Sequence, residues 1–244
     1  MAKIHWVSTP TVSQETRDAN AVVIAALGLP KHEGAGRLAV VGGGPSINRH
    51  IEELRAWNGT VWAVNGAINW CIDNRIEAKF YTADAMPMAG WVYDLSRVRD
   101  AVLPPGVSPD LIEHLLAQGA RVELSCEIES GPTSANATDY LGIDAGYSSI
   151  HYFGCEGSFA PDSTHAFPSA DIAHWMQVNV GGDLHFTKAE FVSQAIIMAR
   201  TINAFPHVYF DRSGGLLASV IKHGPEYDVT RVSDALFATL KKAA

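Results

Sequence analysis

The chain has little cysteine, little charge and no long apolar run, and each shortage excludes something. Cys71, Cys126 and Cys155 are the only cysteines in 244 residues. They form no C-x-x-C pair, and an odd count does not make a disulfide framework. A reducing cytoplasm is the expected setting. Charged residues are 18% of the chain, with a formal net charge of −8. A chain of that sign is repelled by polyanions, so neither nucleic acid nor an anionic membrane surface is an expected partner. No apolar run approaches the roughly eighteen residues of a membrane helix. The opening MAKIHWVSTP has no long apolar core behind its lysine and does not read as a signal peptide. A homo-oligomer stays compatible with all of this.

What is present is globular. Hydrophobic residues make up 47%, enough to bury a sizeable core in one large or two small domains. Residues 1–36 read as an N-terminal helical extension and linker, with a helix over Thr11 to Leu27 carrying Val12, Val22, Val23, Ala26 and Leu27 and stopping at Gly28 and Pro30. Residues 37–244 read as the main domain. There, short β-branched or aromatic runs alternate with helical spacing: strands at 38–43, 60–65, 79–84, 99–105, 120–126, 148–155 and 207–211. Helices are expected at 46–57, 67–74, 109–118, 134–146, 187–204 and 231–242, with loops at 155–167 and 178–187. This alternation predicts an α/β fold, a Rossmann-like three-layer sandwich with a mostly parallel sheet. Such sheets bind ligands beyond the carboxyl ends of their strands, where the strand order reverses.

The first strand end is the barest. LAVVGGGPSIN puts Gly42, Gly43, Gly44, Pro45 and Ser46 between an apolar strand and a helical segment. Glycines here allow positive φ and close approach to backbone, and Ser46 suits an N-cap. A helix start offers free N–H groups to an anion, so the loop is a candidate nucleotide-phosphate cradle. The loop is neither G-x-G-x-x-G nor a Walker loop, since Ile47 stands at the third glycine and no Gly-Lys-Ser/Thr follows. A tight strand-to-helix turn explains the same residues. Without the third glycine, and with no acidic residue closing TVWAVN, a nicotinamide dehydrogenase is disfavoured.

VVGGGPSIN, then AVNGA, then YTAD, together with SGPTSANATDYLGIDAGYSSIHYFGCEGSF at 130–159, resemble the archaeal, MptE-like family of 6-hydroxymethylpterin diphosphokinases. That family is related to motility accessory factor glycosyltransferases. More remotely, the pattern is similar to bacterial sialyltransferases that use CMP-sialic acid. The likeness runs from about Leu38 to Leu217. It implies a nucleotide-dependent transferase, diphosphokinase-like first: ATP-dependent transfer of a diphosphate, with magnesium, to a pterin-type hydroxymethyl group. A CMP-sugar-dependent glycosyltransferase is the alternative, and a non-catalytic nucleotide-binding module a third reading.

The resemblance implies that Asn65 contacts the nucleotide; an Asn-Gly turn explains it equally. Asp84, closing KFYTAD, is the expected magnesium ligand, with a cap or turn as the plain alternative. Gly131, Thr133, Ser134 and Asn136 form a polar turn suited to a second contact or to ordinary capping. Gly154 and Glu156 lie where the family has a Gly-x-Asp-like strand end. Glutamate is one methylene longer than aspartate and displaces any contact by about an ångström. A base must take the acceptor hydroxyl's proton, and histidine suits that near neutral pH. By position, His185 resembles the catalytic histidine of the sialyltransferases, and His165 matches the diphosphokinase-type segment. Asp162 and Asp183 accompany them. Arg212, in the turn Asp211 to Gly215, is available to offset phosphate charge, and Trp91 or Trp175 to stack on a base; turn formation and core packing account for the same residues.

Overall fold

A computed structural model describes residues 12–85, 93–126, 133–159, 166 and 176–231. Its core is a seven-stranded sheet, in spatial order, of β5 (Arg121–Leu124), β4 (Asp100–Leu103), β3 (Lys79–Tyr81), β2 (Thr60–Val64), β1 (Arg37–Val41), β6 (Ser149–Phe153) and β9 (Tyr209–Asp211). Every pairing in it is parallel. The α/β, Rossmann-like architecture is therefore present. The strand order steps outward from β1 to β5, then restarts on the other side of β1 with β6. The reversal lies between β1 and β6.

β1 shows why this strand is central. All residues after Arg37 are buried. Leu38 and Val40 face one core with Trp62, Tyr81 and Tyr152. Ala39 and Val41 face the other with Ala63, Phe80 and Phe153. A strand buried on both faces reads as a continuous apolar run, which is what LAVV is. The first core is closed by α5 (Ser134–Asp144), α6 (Ala189–Ala204) and α7 (Gly215–His223). The second is closed by α1 (Gln14–Ala25), α2 (Ile51–Arg55), α3 (Ala67–Asp73) and α4 (Pro109–Ala117).

α1 starts at an N-cap, Ser13, whose hydroxyl accepts the Thr16 N–H. Its Ile24 is fully buried, whereas Val22 and Val23 are exposed. The linker after it is stitched into the sheet: Leu124 N–H donates to Pro30 O, His32 N–H to Leu124 O, and Gly34 N–H to Ala145 O. His32 is buried against Trp62 and Tyr147. Its Nδ1 pairs with Glu123, which also accepts from Lys79, and its Nε2 with the Tyr147 hydroxyl.

Three expectations are corrected. The segment 46–57 is not one helix: a 3₁₀ turn at Pro45–Arg49 ends at His50, with φ −112°, before α2 begins. The stretch 178–187 is not a loop. It is most of a hairpin, β7 (Met176–Val180) and β8 (Asp183–Thr187), turning at Gly181-Gly182 with both φ angles positive. β10 (Asp228–Arg231) completes this small antiparallel sheet, so Arg231 is strand and not a helix start. The rest of the expected last helix lies outside the described residues. Among the described residues, no helix is long and apolar enough to cross a membrane.

Candidate functional site

The carboxyl ends of β1 and β6 meet at the strand-order reversal, and there the glycine loop packs on residues 154–156. Gly42 N–H donates to Phe153 O at 2.7 Å and Gly44 N–H to Gly154 O at 2.8 Å. Glu156, 4% exposed, reaches across. Its carboxylate accepts the Ser46 N–H at 2.8 Å and the Ser46 hydroxyl at 2.9 Å. Ile47 N–H donates back to Gly44 O at 3.3 Å, and Pro45 has no N–H to offer. The protein's own anion thus takes the Ser46 position of the expected phosphate cradle, and the N–H groups of Gly42, Gly44, Ser46 and Ile47 are engaged within the fold.

The glycines have a different reason from the one expected. None of Gly42, Gly43 and Gly44 has a positive φ. A Cβ on Gly44 would stand 2.0 Å from Glu156 Oε2, and one on Gly42 would stand 2.5 Å from Gly154 O. Both must lack a side chain so that the two loops can touch. Nor does Ser46 cap a helix. It lies inside the 3₁₀ turn, whose N-cap is Gly44 with no side-chain bond. Burial raises the Glu156 carboxyl above its ordinary range, with the Ser46 N–H and hydroxyl and the Arg49 charge pulling it partly back.

Asn65 follows β2 in the left-handed region, φ 52°. Its N–H donates to Tyr81 O, its Nδ2 reaches Asp84 Oδ2 only at 3.5 Å, and its Oδ1 is buried with no partner. Burial raises the Asp84 carboxyl, and the Arg17 charge and Asn65 oppose it. Arg17 comes from α1 and donates to Ala83 O at 3.0 Å. Among the described residues, no three His, Cys, Asp or Glu side chains gather as a metal centre. Asp84 would offer a magnesium ion a single carboxylate, one that already feels the Arg17 charge.

Thr133 and Ser134 serve the fold. Thr133 caps α5, accepting the Asn136 N–H, and bonds Gln194 Oε1 at 2.8 Å. Ser134 Oγ accepts the Ala83 N–H at 3.1 Å. Asn136 is buried, with its Nδ2 toward Gln194 O. Asp211 accepts the Ser213 and Gly214 N–H groups, forming the turn into α7, while the Arg212 side chain is exposed. Gly131, His165, Asp162, Trp91 and Trp175 lie outside the described residues.

His185 is set apart from the glycine loop. It sits on β8 with Nε2 2.9 Å from Ser219 Oγ of α7, and Ser219 bonds Asp183 Oδ2 at 3.0 Å. Burial lowers its pKa, with Asp183 opposing. β8 is tied to the Glu156 loop two residues on, where Thr187 Oγ1 donates to Gly157 O at 2.6 Å.

Sequence reasoning missed Arg17, Gln194 and Ser219. Gln194 left a trace, being a polar residue on the apolar stripe of Val192, Ala195 and Ala199. It is buried and donates to Cys155 O, tying α6 to the β6 end. Arg17 and Ser219 left none, because their partners are distant in sequence.

No protein-family model matches the chain, and no curated protein matches it.

Proposed function

We propose that the chain is a nucleotide-dependent transferase whose donor enters the crevice at the ends of β1 and β6. One observation supports the reading: the glycine turn and the Glu156 loop meet at the strand-order reversal, the ligand position of open α/β sheets, with Asn65 at the end of the neighbouring strand β2. The resemblance puts diphosphate transfer from ATP to a pterin-type hydroxymethyl group first. A donor phosphate on Ser46 needs Glu156 to leave, because one N–H does not serve two anions at once and like charges repel. Glu156 is then the competitor that any donor displaces. The three free thiols, Cys71, Cys126 and Cys155, fit a reducing cytoplasm.

Two other readings have an observation each. Sugar transfer from a CMP-linked donor is favoured by His185, a histidine oriented by a buried serine with a carboxylate behind it. In that reaction a base takes the acceptor hydroxyl's proton as its oxygen attacks the donor. A non-catalytic binding module is favoured by the seated Glu156 itself.

A thermal-shift panel of ATP, GTP, CTP and CMP, with and without magnesium, separates these readings, since a ligand of the native state raises the melting temperature. A shift with ATP that requires magnesium fits diphosphate transfer. A metal-independent shift with CMP fits sugar transfer. No shift with any of them, in the wild type or in Glu156→Ala, ends the nucleotide proposal.

A further inference from the structure

β8 and α7 place three polar side chains in a line. His185 Nε2 is 2.9 Å from Ser219 Oγ, which is 3.0 Å from Asp183 Oδ2. Ser219 has one proton to give. The Asp183 carboxylate only accepts, so that proton goes to Asp183. The serine oxygen is then left to accept from His185, and this fixes the imidazole proton on Nε2. A neutral ring protonated there carries its basic lone pair on Nδ1.

We infer that Ser219 and Asp183 are positioning residues that hold His185 in the Nε2–H form, so that Nδ1 is the atom that takes a proton from an acceptor hydroxyl. The assignment deepens the transferase reading and rests on His185 being its base.

The line is built by the fold. Residues two apart share a face of a strand, so Asp183, His185 and Thr187 lie on one side of β8. Asp183 and His185 both meet Ser219, and Thr187 meets Gly157 O. Ser219 is 6% exposed on α7, whose first turn is held by Ser158 Oγ at Leu216 N–H and by Glu156 O at Leu217 N–H. The hydroxyl therefore stands about one helical turn beyond the Glu156 loop. His223 Nε2 also faces the Asp183 carboxylate, at 3.7 Å. Asp183 lies directly after the Gly181-Gly182 turn, and that turn packs against the His223 ring: a Cβ on Gly181 would be 2.3 Å from it. Hairpin and helix end are thus registered on each other, which sets the carboxylate over Ser219.

The test is imidazole ¹⁵N NMR on the full chain without ligand at pH 8, with the His185 signals assigned by their loss in His185→Gln. The wild type should show a protonated Nε2 and an unprotonated Nδ1. Asp183→Ala, a change at a half-exposed turn residue, frees the serine proton to point at the ring. It should move the tautomer ratio toward Nδ1–H by about fivefold, the value of one ordinary hydrogen bond. Ser219→Ala should also move the ratio, and Ser219→Thr should keep the wild-type pattern. A wild-type Nδ1 that carries the proton, or a ratio that Asp183→Ala leaves unchanged, overturns the inference. The readout needs no turnover. A correct tautomer response in a chain that binds no nucleotide would sink the transferase reading and leave the line of three intact.

Discussion

Glu156 holds Ser46 by two bonds at once, from the backbone N–H at 2.8 Å and from the hydroxyl at 2.9 Å. The partners are 110 residues apart in sequence. They close the gap between β1 and β6, where a sheet of this order leaves its crevice. Gly44 exists for the same contact, since a methyl group there would stand 2.0 Å from the carboxylate.

Removing the carboxylate should therefore cost stability. In Glu156→Ala the Ser46 N–H is left without its partner, a loss of about 1–3 kcal/mol. Gly44→Ala should cost a similar amount in the wild type, through overpacking against Glu156. In the Glu156→Ala background, the same glycine change should cost less than about 1 kcal/mol. Urea unfolding of the four proteins measures the coupling. Equal costs of Gly44→Ala in both backgrounds would mean the glycine serves something else.

Asp139 sets a pH dependence. It is buried in α5, with Oδ1 bonded to the Tyr152 hydroxyl at 2.5 Å. Burial pushes its carboxyl from 3.8 up to about 7, and hydrogen bonds from Tyr152 and Thr201 only partly oppose this. Between those two values the folded chain keeps the proton and the unfolded chain does not. This group's contribution is therefore lost as pH rises from about 4 through about 7, by at most about 4 kcal/mol. Asp139→Asn should flatten that decline. Urea midpoints at several pH values between 5 and 8 would show it, and parallel wild-type and variant curves would contradict it.

α1 should be sensitive at one position and tolerant at another. Ile24 is 0% exposed and Val22 74%. Ile24→Ala should cost about 2–5 kcal/mol, and Val22→Ser should stay within about 0.5 kcal/mol. Thermal melts of the two variants decide whether this helix is part of the folded unit.

The linker should matter as much as a strand. His32 bonds both Glu123 and Tyr147 across the face of the sheet. His32→Ala removes both bonds and the ring packed on Trp62 and Tyr147, and should cost about 1–3 kcal/mol. A chain that unfolds at the wild-type urea midpoint without this histidine would show the strap to be ornamental.

The parallel sheet was legible because its strands are apolar on both faces and end at glycine or a polar residue, as LAVVGG and TVWAVN do. The β7–β8 hairpin is legible too: VNVGGDLHF alternates around Gly-Gly, the dipeptide of a turn with two positive φ angles. The split of 46–57 at His50 was hidden, because Ile47, Ile51 and Leu54 keep helical spacing across the break. The occupant of the glycine turn was hidden for a different reason. A bare backbone shows that something approaches closely, and nothing local says whether that is a ligand or a side chain from the far end of the fold. Arg17 beside Ala83 and Ser219 beside His185 are likewise products of tertiary packing.

The most direct test of the account is the melting-temperature shift produced by the nucleotide panel in Glu156→Ala beside the wild type, each measured against its own ligand-free value. If Glu156 holds the donor's phosphate position, the variant should bind the responding nucleotide at least about tenfold more tightly, the value of one charge-assisted hydrogen bond, and show the larger shift. Equal shifts in the two proteins, or no shift in either, would contradict it.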